Sequence, residues 1–215
     1  MNREFAVSSD IGFTPAVKAI QTRKGSRGGY AHMEEGGGWR TEIDAALAAF
    51  ISEQTSFFLA TATADGQPYI QHRGGPAGFI KVLDRTTLAF ADYKGNRQYI
   101  TQGNVSADDR AALFLMDYPG QRRLKIYAHV EVKNFADDPA LASKLILPEY
   151  KGKAERAMLL HLDAFDWNCP QHITPRFTEA EINQAILPLR NRLIDLETEV
   201  SHLRAKLAVN KGVET

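Results

Sequence analysis

SFFLATATADGQPYIQHRGGPAGFIK, residues 56–81, is the stretch on which the architecture turns. Two runs rich in β-branched and aromatic residues flank Ala64-Asp65-Gly66, and Asp-Gly between such runs is a hairpin signal. The glycines and proline that come next lead into a further apolar run, Phe79-Ile80-Lys81, read as the start of a strand. A P-loop or a dinucleotide fingerprint would open a helix at this point, so both are excluded.

Working outward, the sequence predicts strands over Phe79–Leu83 and Thr87–Ala91, joined by Asp84-Arg85-Thr86. AALFLMDY and RRLKIYAHVEVKN, separated by Pro119-Gly120, read as a second hairpin, and a last strand covers about Leu159–Trp167. Six or seven strands in hairpin-like succession, without helices at βαβ spacing, point to a mainly β fold closed as an antiparallel barrel. The helices are peripheral. Thr41, with Asp44 in the reciprocal position, is expected to cap one that runs to about Gln54. Gly95-Asn96-Arg97 is expected to open a short helix through about Gln102. Asp138-Pro139 starts another, to about Leu147, with proline at the first helical position. Residues 1–40 read as a Gly-rich, polar arm, either flexible or anchored across the domain by Phe13, Tyr30 and Trp39. Residues 41–177 form the barrel domain.

The strongest periodicity lies in residues 178–209. Ile182, Ile186, Leu189, Leu193, Leu196, Val200, Leu203 and Leu207 alternate in steps of four and three, an a/d seam that predicts a coiled coil. Thr178 and Glu181 form a capping box at its start. With Leu193 and Val200 at a, Arg192 and Glu199 fall at g, and Glu197 and Arg204 at the following e positions. Both g-to-e pairs have opposite charge, which suits a parallel two-stranded pairing. Pro188 falls at an outer c position, where it either kinks the helix or marks the first turn of a separate one. The alternative for the whole segment is an amphipathic helix on its own barrel, although that face is usually wider.

Lys+Arg and Asp+Glu both number 26, so the formal charge is zero. A nucleic-acid binder would carry a basic excess. No apolar run reaches the ~20 residues of a membrane span, and no signal-peptide pattern opens the chain, so the expectation is a cytoplasmic protein without membrane or nucleic-acid partners. The one cysteine, Cys169, excludes an intrachain disulfide and reads more as packing than as a redox thiol. No His, Cys or carboxylate cluster has metal spacing.

Two basic, glycine-containing segments carry the chemistry. In Gln71–Lys81, glycines allow close backbone approach to a ligand while His72, Arg73 and Lys81 bring positive or hydrogen-bonding groups. Gly95-Asn96-Arg97, expected at a helix start, is a second phosphate-type site. Together they point to one shared phosphate. His72 is read equally well as a ligand-facing hydrogen-bonding group or proton donor, or as a structural histidine, and His172 has the same ambiguity.

PYIQHRGGPAGFIKVLD, TLAFADYKGNRQYITQGN, ALFLMDYPGQRRLKIYA and DWNCPQHI together resemble the FMN-binding proteins related to pyridoxamine 5'-phosphate oxidase. The resemblance spans roughly residues 12–178. It implies a six-stranded antiparallel split β-barrel of the FMN-binding type, here with a C-terminal coiled-coil helix added. It further implies a homodimer with FMN at the subunit interface, and an oxidoreductase acting on a small molecule. By the same resemblance Gly78, Phe79, Ile80 and Lys81 run beside the flavin, Asn96 and Arg97 grip its phosphate with Arg73, and Arg123 reaches the ligand. Trp167, Gln171 and Arg176 come from the other subunit; Trp167 reads equally as a core aromatic. Pro76 and Gln98 stand where the oxidase proper has basic residues, which leaves the substrate unassigned. A non-enzymatic flavin or haem carrier on the same fold is the alternative.

Overall fold

A computed structural model describes residues 5–212, and the chain divides into two compact units, Met1–Ile173 and Thr174–Thr215. In the first unit, strands β1 (Ser56–Ala62), β2 (Pro68–Gly74), β3 (Lys81–Val82), β4 (Thr87–Tyr93), β5 (Arg110–Asp117), β6 (Arg122–Asn134) and β7 (Ala154–Asn168) form one antiparallel sheet. Its order is β2-β1-β5-β6-β7-β4-β3. The sheet therefore has seven strands, not six. The extra one, β3, is only two residues long, and the strand expected over Phe79–Leu83 shrinks to it. Gly78 takes φ +80°, which turns the chain before the strand can start. Phe79 and Ile80 plug into the core instead, 6% and 2% exposed.

The sheet is curled. β1 and β4 lie four places apart in the sheet order, about 19 Å if flat at ~4.8 Å per strand. Yet Phe57 on β1 meets Phe90 on β4 edge-on, with ring centroids 5.3 Å apart. Inside the curl, Leu59, Leu88, Leu113, Leu115, Leu124, Ile126 and Leu160 are at most 2% exposed. Strand alternation explains this set. On β6, Leu124, Ile126, Ala128 and Val130 face in, while Arg123, Lys125, Tyr127 and His129 face out.

The helices correct several boundaries. α3 spans Ala45–Glu53 and is capped by Asp44, whose carboxylate accepts from Leu47 N at 2.7 Å, so Thr41 is not the cap. A side chain three residues before the accepting amide closes the cap, and Asp44 has that spacing to Leu47. The arm contains two helices, α1 (Pro15–Lys24) and α2 (Arg27–Glu35). Phe13, Tyr30 and Trp39 cluster as anticipated for the anchored alternative, and Trp39 stacks on Tyr127 of β6 at 5.5 Å. α4 spans Ile100–Ala107, and α5 (Pro139–Leu145) starts at the Asp138 cap with Pro139 in the first turn.

In the second unit, α6 runs unbroken over Glu179–Gly212 and contains Pro188. The capping box forms: the Thr178 amide donates to Glu181 Oε2 at 2.7 Å, and the Glu181 amide donates to Thr178 Oγ1 at 3.2 Å. No helix among the described residues is long and apolar enough to cross a membrane.

The α5 cap seats Leu141 and Leu145 on the outer side of β4 and β7. Asp138→Ala removes the bond to Leu141 N, 2.9 Å long. Its expected effect is a loss of about 1 kcal/mol in urea unfolding, with the m-value unchanged.

Candidate anion-binding site

The two basic segments converge. A small cavity of about 70 Å³ is lined by Tyr69, Gln71 and Arg73 of β2, Asp92 and Tyr93 of β4, the loop Gly95–Tyr99, Ile100–Gln102 of α4, and Glu155. Period-two alternation places Tyr69, Gln71 and Arg73 on the cavity side of β2. It places Ile70 and His72 on the other side, where His72 meets the Phe58 ring at 5.7 Å. His72 is therefore not in the cavity.

Arg73 is held by charge. Its Nη1 donates to Asp92 Oδ1 at 2.6 Å, both side chains being 16% exposed, and its guanidinium lies over the Phe90 ring at 5.7 Å. Arg156, also buried, approaches the other Asp92 oxygen at 3.5 Å, pairs with Glu155 at 2.5 Å and lies over Tyr99 at 5.3 Å. Nε of Arg73 is buried without a partner among the described residues. A buried donor left unpaired is costly unless a water meets it; the Arg73 side chain as a whole lines the cavity.

The opposite wall is the β4–α4 connection. Asn96 and Arg97 lie in a loop, because the helix begins at Ile100 and not at Gly95. Arg97 and Tyr99 both adopt left-handed backbone, φ 61° and 53°. Asn96 Oδ1 accepts from Gln98 N at 3.2 Å, which holds the turn. This connection brings the first turn of α4, with its unpaired amide donors, against the cavity. Thr101 Oγ1 donates to Gln71 Oε1 at 2.7 Å and locks α4 to β2. Arg97 is exposed and has no ion-pair partner among the described residues. Three guanidiniums and two carboxylates in and beside one pocket leave an excess of positive charge, and the donors suit a phosphate-sized anion. At ~10–15 Å³ of such volume per water, the cavity has room for about five waters. That accommodates a phosphate, not a fused ring system.

The remaining expected residues lie elsewhere. Lys81 pairs with Ala89, so it faces the outer side of β4 with Ala89, whereas Asp92 faces inward. Arg123 is paired with Asn168, beside Trp167, at the far end of the 15-residue strand β7 from Glu155. That is about 40 Å of strand path at ~3.3 Å per residue. There Trp167, 38% exposed, packs edge-on against Phe50 at 4.7 Å. Arg123 Nε and Asn168 Oδ1 are buried without partners among the described residues. Gln171 is exposed near that end of the chain, and Arg176 belongs to the second unit. Sequence reading missed Tyr69, Gln71, Asp92, Thr101 and Glu155 as cavity residues, and Arg156 beside them. The alternation Tyr69-x-Gln71-x-Arg73 carried a signal for the first two.

A broader groove runs over the outer face, lined by Ala60, Ala62, Ala112, Tyr127, His129 and Asp163 among others. Its cations are already paired. Arg110 holds the Asp108 carboxyl at about 2. His129 bridges Asp109 and Asp163 at 2.8 and 3.3 Å. Burial pushes the Asp163 carboxyl up, with His129 opposing that shift. Among the described residues, an anionic ligand therefore finds no free cation there.

The family described as pyridoxamine 5'-phosphate oxidase matches residues 43–160, more than half of the chain and all of the cavity wall. The chain belongs to the pyridoxamine 5'-phosphate oxidase family. No curated protein matches it. Similar solved structures include a putative pyridoxamine 5'-phosphate oxidase from Lactobacillus delbrueckii, 20% identical, TM-score 0.45, covering 59% of this chain and 95% of that one. General stress protein 26 from Bacillus anthracis is 14% identical, TM-score 0.42, covering 61% and 94%. An FMN-binding protein from Syntrophomonas wolfei is 11% identical, TM-score 0.41, covering 69% and 97%. Family membership rests on the matched residues 43–160 and not on these distant likenesses.

Two arginines at the cavity separate by stability. Arg156→Ala leaves Asp92 and Glu155 short of a partner in a half-dry setting and is expected to cost about 2–3 kcal/mol. Arg97→Ala, at an exposed loop, is expected to stay within ~0.5 kcal/mol. Urea unfolding of both variants checks this; equal losses would contradict the assignment of Arg97 to ligand and Arg156 to scaffold.

Proposed function

We propose that this protein is an FMN-dependent oxidoreductase acting on a small molecule, working as a homodimer with FMN at the subunit interface. The observation that carries the reading is the meeting of Arg73 from β2 with Asn96 and Arg97 from the β4–α4 loop around one phosphate-sized cavity. The residues fit the cofactor's anionic end. Arg97 supplies an uncommitted charge, Arg73 a guanidinium on the cavity wall, and the first turn of α4 its free amides. Asp92 fixes the Arg73 fork before any ligand arrives, so little side-chain entropy is lost on binding. When bound, the isoalloxazine supplies the redox chemistry, and no protein nucleophile is needed.

The cavity holds only the phosphate end, so the ring must lie outside it. In this reading the peptide around Gly78–Ile80 and Lys81 flanks the ring. Trp167, Gln171, Arg176 and Arg123 come from the partner subunit. The separation of Arg123 and Trp167 from the cavity along β7 supports this division, because one copy alone does not bring the two groups together. The C-terminal helix is read as a coiled-coil segment of the same assembly.

Purified protein is expected to be yellow and to release FMN. Arg97→Ala is expected to weaken FMN binding by about 10- to 100-fold, from the loss of a charge-assisted bond of ~1.5–3 kcal/mol. Fluorescence titration measures this. Unchanged affinity in the variant, or a colourless protein that ignores added FMN, overturns the reading. Reduction of the bound flavin by NADH or NADPH, followed by reoxidation with an acceptor, tests turnover.

A further inference from the structure

We infer that α6 pairs with α6 of a second copy, parallel and in register, along the seam from Ile182 to Leu207. The inference rests on the coiled-coil pattern and is independent of the flavin. α6 is one continuous helix of 34 residues, about 51 Å long at ~1.5 Å per residue. Helices in water draw most of their stability from burial of an apolar face. Here that face is uncovered within its unit: Leu189 is 72% exposed, Leu193 57%, Leu203 50% and Leu207 61%. Pro188 does not break the helix, and its c position keeps the ring off the seam.

The charges beside the seam choose the occupant. Arg192, Glu197, Glu199 and Arg204 form no ion pair among the described residues of the chain. Glu197 and Arg204 have no opposite charge three or four positions away on α6, which are the spacings at which helix neighbours meet. Across a parallel, in-register pair, g of one helix faces e of the next heptad on the other. Arg192 then meets Glu197 of the partner subunit, and Glu199 meets Arg204 of the partner subunit. The pattern is complementary to itself, so the partner it specifies is another copy of this chain. An antiparallel pair sets g against g and e against e, which loses both matches in this register.

Disulfide trapping in the full-length protein tests the inference, with Cys169→Ser as background. Leu203→Cys, at d, faces its own copy only in a parallel, in-register pair and is expected to form a covalent dimer under mild oxidation. Thr198→Cys, at the outer f position, is expected to do so at least tenfold more slowly. Adding Glu199→Lys to the Leu203→Cys variant sets like charges against Arg204 and is expected to slow trapping about tenfold. Adding Arg204→Glu as well is expected to restore it. The rescue cannot arise within one helix, because positions five apart do not touch.

Equal trapping at 203 and 198, no trapping at 203, or no rescue by the double charge swap overturns the inference. Flavin content is read in the same samples. A colourless protein that traps at 203 refutes the cofactor reading and leaves the coil standing, and a yellow protein that does not trap does the reverse.

Discussion

Arg73 and Asp92 meet at 2.6 Å although β2 and β4 are five places apart in the sheet order, about 24 Å if the sheet were flat. That contact is possible only because the sheet curls on itself, and it sits where the curl brings two edge regions together. Everything in the candidate site depends on this closure. Hydrophobic burial supplies the driving force, with Phe57, Phe79 and Phe90 packed between the converging strands. The ion pair adds little net energy at partial burial, since desolvation offsets most of the Coulomb gain. What it adds is geometry: it fixes which face of β2 looks across at β4. A slip of one residue in β2 would present His72 and Ile70 instead of Arg73 and Gln71.

The strands were legible in the sequence because their signals are local. The Asp65-Gly66 turn, the alternation on β6 and the Asp138-Pro139 cap each need only a few neighbouring residues. Boundaries failed where tertiary contacts overrode local pattern. Phe79 and Ile80 look like strand residues, but the hole between β1 and β4 takes their side chains, and only Lys81 and Val82 are left to pair. The helix expected at Gly95 starts five residues later, since left-handed Arg97 and Tyr99 hold the loop open around the cavity. On the site, the two basic segments could be named from composition alone. Their counter-ions could not. Asp92 falls one residue past the strand expected over Thr87–Ala91 and Arg156 carried no signal, because nothing local marks a carboxylate that two arginines from strands far apart in sequence will share.

The counter-ions change the electrostatics that a row of basic residues would imply. Asp92 and Glu155 take up most of the charge of Arg73 and Arg156, so the attraction offered to an anion falls mainly on Arg97 and the amides of α4. The pocket is therefore ordered before it is strongly positive. Ordered donors favour a group of defined shape over any passing anion, and the small excess charge limits non-specific capture of polyanions. A chain with no net charge is consistent with that balance.

Zero net charge bears on association as well. Two copies of a neutral chain approach without long-range repulsion, so local patterns decide how they meet. On α6 those patterns are unusually explicit: a continuous apolar seam with unlike charges at the positions that would face each other. On the barrel, Arg123 and Asn168 hide unpaired polar atoms at the end of the molecule farthest along β7 from the anion cavity. Buried groups without partners are tolerated where something else completes them. With almost no exposed surface, those atoms can be met by a buried water but not by a second chain, so of the two features only the α6 seam calls for one.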